Sequence, residues 1–173
     1  WELAEYHMEE ARLRFERAGS RKGLADSYMK QGDFARARKD YEAAELAYLE
    51  CAARFRGCGD DNQLYAELNV AMTYLDSEKY TEAGKLLSQL RKRANPQAAK
   101  LLLWIGLCST CCLAHEAEWC VLETELVQLQ KDLLDMGIFD LDAAGAARIC
   151  AGLCEAEGRD DVARLAWIIV VHQ

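Results

Sequence analysis

Apolar and polar positions recur with a helical period along nearly the whole chain. From Leu24 the sequence LADSYMKQGDFARARKDYEAA places apolar or small residues at Leu24, Ala25, Tyr28, Phe34, Ala37, Tyr41 and Ala44, with Gly32-Asp33 between two such stripes. The spacing predicts two antiparallel helices joined at Gly32, with small Ala25 and Ala37 letting the backbones approach and Tyr28 and Phe34 filling the space near the turn. Extended along the chain, the pattern predicts helices near 2–18, 21–31, 34–56, 62–77, 79–93, 96–113, 115–136, 141–157 and 159–172. Asn95-Pro96 is expected to open one of them, asparagine as N-cap and proline in the first turn, and Asp60-Asp61 and Asp140 to cap two others. Arg91, Lys92 and Arg93 suit a helix C-terminus, where cations complement the dipole.

The same pattern returns after 46 residues as Val70-Ala71, Tyr74, Tyr80, Ala83, Leu87 and Leu90. After a further 34 it reappears as Trp104, Cys108, Ala114, Ala117 and Val121, and after another 46 as Cys150-Ala151, Cys154, Gly158, Ala163, Trp167 and Val170. The segment from Leu24 to Ala44 resembles a tetratricopeptide repeat in its leucine-small pair, its tyrosine, its Gly-Asp-aromatic turn and the later alanine, aromatic and alanine. The resemblance is strong over residues 18–94 and weaker beyond. Tyr6, Met8, Ala11, Phe15 and Ala18 are similar to the second half of an earlier repeat. The resemblance implies an all-α fold, a right-handed superhelical stack of antiparallel helix hairpins (an α-solenoid) with about nine helices. It implies a single repeat domain over 1–173, with repeats near 18–60, 64–94, 98–137 and 144–173 and a partial repeat at 1–18.

Composition agrees with helices. One proline and 11 glycines in 173 residues leave few turn residues for a strand-rich fold, while 51% hydrophobic residues supply a core. No run of about 18 apolar residues offers a membrane span. Trp1 at the start and the apolar run Ile168 to Val171 near the end suggest a segment of a longer polypeptide. The net charge of −8 is unevenly placed: residues 1–100 carry 17 Lys/Arg and 17 Asp/Glu, residues 101–173 carry 4 and 12. Such a surface repels phosphate backbones, which argues against nucleic acid, and it fits either a solvated face or a basic protein surface.

Eight cysteines stand out. Cys108, Cys111, Cys112 and His115 follow one side of a helix, a stripe that invites a metal reading, with Cys150 and Cys154 able to complete it. Four ligands on one straight helix do not converge tetrahedrally, however, and Cys108, Cys150 and Cys154 occupy core slots of the repeat, so packing is the expected role and no metal or cofactor is expected. Absence of a secretion signal favours a cytoplasmic or otherwise reducing compartment. Cys58, between two glycines, is expected to be the reactive thiol. His7, His115 and His172 lack partners at catalytic spacing, there is no phosphate loop, and pairs such as Glu123/Glu125 and Glu155/Glu157 suit solvent faces, so no enzymatic activity is expected.

The family resemblance places the ligand groove on the first helix of each hairpin. Carried over residue by residue, it implies a mostly apolar groove of Tyr65, Leu68, Asn69, Met72 and Leu75 with Leu102, Leu103, Gly106 and Ser109. Such a surface fits the apolar face of a partner helix or peptide, or a neighbouring part of the same protein. The family's clamp for a chaperone's terminal carboxylate is matched by Lys22 and Asn69, but Asp26, Ala99 and Leu103 stand where an asparagine, a lysine and an arginine are needed, so that ligand is not expected. The leading function is therefore a non-catalytic protein-binding scaffold. The alternative is a structural or regulatory arm of a large multidomain enzyme such as a helicase-like or signal-transducing ATPase, to whose helical repeats AELAYLECA at 44–52 is loosely similar.

Overall fold

A computed structural model describes residues 2–56, 62–138 and 140–172. Among these the protein is all-helical, with nine helices: α1 (Glu2–Arg17), α2 (Arg21–Ala37), α3 (Tyr41–Phe55), α4 (Asn62–Asp76), α5 (Tyr80–Arg93), α6 (Ala99–His115), α7 (Trp119–Met136), α8 (Leu141–Ala156) and α9 (Asp160–His172). Within the units, neighbouring helices pack as hairpins, α1 on α2, α2 on α3, α3 on α4, α5 on α6, α6 on α7 and α8 on α9, consistent with an α-solenoid. The chain forms two compact units, Trp1–Ser77 and Glu78–Gln173. The proposed caps Asp60 and Asp61, and Cys58, fall outside the described residues.

In the first unit α2 packs against α1 and α3, and α3 against α4. Ala25, Cys51, Ala52, Phe55 and Ala66 form a core, with Tyr28 and Met29 packed against it. The turn is displaced from its expected place. Helix α2 runs on through Gly32 and Asp33 to Ala37, and Lys39 makes the turn in the left-handed region at φ 61°. The amide of Asp40 donates to Ala35 O at 2.9 Å, closing the helix end, and its carboxylate accepts from the Ala43 amide at 3.2 Å, opening α3.

Gly32 therefore has another role. A β-carbon there would lie 2.5 Å from Tyr48 Cε1 and 2.6 Å from Cδ1. The fully buried Tyr48 ring lies against the glycine, its hydroxyl donating to Asp33 Oδ1 at 3.0 Å. Ala37, expected at the helix contact, is exposed, and fully buried Ala44 occupies a close-packed position instead.

Left-handed residues stand between helices at Gly19, Lys39, Glu78, Ala117, Gly137 and Gly158, and those at Lys39, Glu78, Ala117 and Gly158 lie 39, 39 and 41 residues apart. Five residues after each of these four, Ala44, Ala83, Leu122 and Ala163 are all buried, with Tyr48, Leu87 and Leu126 one turn on, also buried. The helix expected to begin at Pro96 starts at Ala99. Asn95 Oδ1 accepts from the Gln97 amide at 2.9 Å, so it caps a single turn ahead of α6. Asp140 caps α8 as expected, accepting from the Asp142 amide at 2.8 Å.

In the second unit α6 is the central element, packed against α5, α7 and α8, while α9 packs on α8 and α7. Its position explains its composition: Leu101, Trp104, Ile105, Leu107, Cys108 and Cys111 are buried on several sides of one helix.

Candidate functional site

The residues of the expected groove divide between the two units. On α4, Leu68, Met72 and Leu75 are buried, which leaves Tyr65 and Asn69 half-exposed, and the Asn69 amide is engaged with Met29 Sδ at 3.1 Å. On α6, Leu102 and Ser109 are half-exposed, whereas Leu103 and Gly106 are buried. The Ser109 hydroxyl donates to its own helix at Ile105 O, 2.7 Å away.

Three of the α6 residues, Leu102, Leu103 and Gly106, line a cleft of about 490 Å³ within the second unit. Its shape follows from helix register. Ala99, Leu102, Leu103 and Gly106 share one stripe of α6, and Glu125, Gln128, Leu129, Asp132, Asp135 and Met136 share one stripe of α7. In the antiparallel hairpin the two stripes face each other. At Gly106 they come together, since a β-carbon there would be 3.0 Å from Leu129 Cδ2. The cleft occupies the end of the hairpin remote from the Ala117 turn, where Pro96 and Arg91 complete the lining.

The floor is apolar and one rim is acidic. Glu125, Asp132 and Asp135 follow the α7 side, and Gln128 Nε2 donates to Asp132 Oδ1 at 2.7 Å, fixing that carboxylate. Glu125 and Asp135 have no cationic partner among the described residues. Arg91 extends from the last turn of α5 to within 3.6 Å of the Gly106 β-position, also without an acidic partner among them. The sequence pointed to the α6 half alone. In sequence Glu125 suits a solvent face, and its repetition with Gln128, Asp132 and Asp135 at intervals of three and four is the signal that marks the α7 half.

The cysteine stripe packs. Cys108, Cys111 and Cys112 are buried while His115 is exposed, its ring stacked on Tyr80 at 4.7 Å between centroids. Cys111 Sγ donates to Ala146 O on α8 at 3.2 Å and Cys112 Sγ to Tyr80 O on α5 at 3.5 Å, so the thiols point to different neighbours. Cys150 Sγ faces Thr110 O at 3.7 Å. Burial pushes the Cys51 thiol up to about 12 and Cys112 up to about 11, and raises Cys111 well above the ordinary range. No group of three or more His, Cys, Asp or Glu among the described residues is placed to hold a metal ion. Cys120 is exposed, a thiol the sequence reading passed over.

An all-helical chain whose neighbouring helices pack as hairpins within each unit is the architecture of a helical-repeat protein. The family model for the tetratricopeptide repeat matches residues 22–57, which are the α2–α3 hairpin, and supports a tetratricopeptide-like helical repeat. No curated protein and no solved structure matches the chain. Repeats of this kind are in general protein–protein interaction modules, typically non-catalytic. No helix among the described residues is long and apolar enough to cross a membrane.

Proposed function

We propose that the protein is a non-catalytic scaffold that binds a peptide or helical segment of a protein partner, and that the α6–α7 cleft is its principal contact. The observation that carries this reading is the apolar floor of the α6–α7 cleft, open at Ala99, Leu102 and Met136, in a chain with a tetratricopeptide-like hairpin. Clefts of roughly 300–1,000 Å³ with a few placed polar groups are the size that holds a ligand's side chains. Ser109 of α6 is a secondary contact in this reading, because its side chain remains partly open, while Tyr65 and Asn69 of α4 belong to the first unit and form a separate candidate surface. Among the described residues the thiols other than that of Cys120 are buried, which fits a reducing compartment.

Substitutions at Leu68 or Leu103 would damage the core before they tested binding, so the test belongs at the open residues. Leu102→Asp with Met136→Asp is expected to abolish partner capture from a lysate of the source cells while leaving the melting temperature within a few degrees of the parent. An unchanged set of captured proteins would refute cleft binding.

A further inference from the structure

Resting on the cleft reading, we infer that the occupant is a cationic amphipathic helix, with apolar side chains seated between α6 and α7 and Lys or Arg residues aligned on the carboxylates of α7. The apolar floor by itself would accept any greasy segment. The charges select among them. Glu125 and Asp132 are seven residues apart on α7, which at 1.5 Å per residue separates their Cα atoms by about 10.5 Å. Asp135 adds a carboxylate one turn beyond Asp132, toward the open end of the cleft. A helix laid along α7 meets that spacing with basic residues at i and i+7, and positions i+1, i+4 and i+8, on the adjoining face, then turn toward the floor.

Three further observations favour this polarity. The carboxylates stand in the acidic third of the chain, where 12 Asp/Glu face 4 Lys/Arg, so the surrounding field attracts the same cationic partner. Gln128 donates to Asp132 along the same rim and so orients that carboxylate without neutralising it. Arg91, at the opposite side of the floor, would repel a basic residue placed there and so fixes which face of the helix is charged. The α1–α2 groove, lined by His7, Met8, Ala11, Phe15, Asp26, Ser27 and Lys30, carries mixed charge and selects no such partner.

The test is a random 16-residue peptide display library selected on the folded chain, followed by fluorescence anisotropy of the enriched peptides on three proteins. These are the parent, Ala99→Trp, which fills the cleft with a bulky ring, and Glu125→Gln/Asp132→Asn/Asp135→Asn, which neutralises the rim. The expected winners carry Lys or Arg seven residues apart around apolar residues. They lose detectable binding on Ala99→Trp, and they bind the rim variant roughly tenfold more weakly at low salt. Peptides that bind Ala99→Trp as well as the parent are attracted by net charge alone, and that result overturns both the inference and the cleft reading. Peptides blocked by Ala99→Trp but indifferent to the rim variant, or winners rich in Asp and Glu, overturn the inference and leave the cleft reading standing. A library yielding no binder overturns the inference.

Discussion

Replacing Gly32 by alanine isolates the packing that sets the first hairpin. In the middle of an ordinary helix the change would stabilise, since alanine exceeds glycine in helix propensity by about 1 kcal/mol. At Gly32 the new β-carbon would sit 2.5, 2.6 and 2.8 Å from three carbons of the Tyr48 ring, where carbon atoms prefer about 3.5–4.0 Å. The ring cannot easily yield, because it is fully buried and its hydroxyl is tied to Asp33. Overpacking of this kind costs about 1–3 kcal/mol, and displacing the ring also weakens a hydrogen bond whose net contribution is about 1 kcal/mol. Set against the propensity gain, the net expectation is a loss of about 1–3 kcal/mol. Gly152, exposed on α8 with nothing within 4 Å of its β-position, is the control: Gly152→Ala should gain about 0.5–1 kcal/mol. Urea unfolding followed by circular dichroism reads both, and amide exchange on α2 and α3 localises the first. A left-handed glycine would also resist alanine, so the combination with Tyr48→Leu separates the two causes. If the ring is the obstacle, Gly32→Ala should cost far less in the Tyr48→Leu background. Equal costs in both backgrounds, or a Gly32→Ala variant as stable as Gly152→Ala, would refute the packing argument.

Other features of the structure lead to further expectations. Ala117 turns the α6–α7 hairpin at φ 58°, a region that costs a β-carbon about 1–2 kcal/mol, so Ala117→Gly should raise the urea midpoint by the equivalent of about 0.5–1 kcal/mol. Asp40→Ala removes the carboxylate that caps α3 and should lower stability by about 1 kcal/mol, while Asp40→Asn retains most of it; equal melting temperatures for all three would contradict the cap. In the native protein at neutral pH, iodoacetamide should label Cys120 well before Cys51, Cys111 or Cys112, whose thiols burial holds protonated, and peptide mass mapping would show the order.

How much of this was legible in the sequence turns on one ambiguity. Helix, hairpin and repeat follow from apolar spacing, and the resemblance at Leu24 to Ala44 led to the family whose model matches residues 22–57. The register within that segment did not follow. Phe34, Ala37, Tyr41 and Ala44 form a stripe, and so do Tyr41, Ala44, Tyr48 and Cys51; the two are offset by seven residues, which is two helical turns, so periodicity serves both equally. What decides between them is chemistry that a hydrophobic pattern does not encode: Asp40 caps a helix, and the Tyr48 ring requires a residue without a β-carbon opposite it. A glycine read as a stop signal was a packing site, and a lysine with no sequence mark of a turn took the left-handed conformation.

The candidate site was half legible for the same reason. Family geometry points to the first helix of a hairpin, hence to Leu102, Leu103 and Gly106, and says nothing of the second. The acidic rim lies on the second helix, and a carboxylate on a solvent face looks the same in sequence as one on the lip of a cleft. Only the facing stripe separates them: Glu125, Asp132 and Asp135 line the cleft beside Leu129 and Met136, whereas Glu123 points to solvent. The charge excess of the last third of the chain, taken alone, is a matter of solubility. Placed along one edge of an apolar floor, part of it becomes, in the proposed reading, a criterion for choosing a partner, and this is why the rim variant and the filled cleft must be compared on the same peptides.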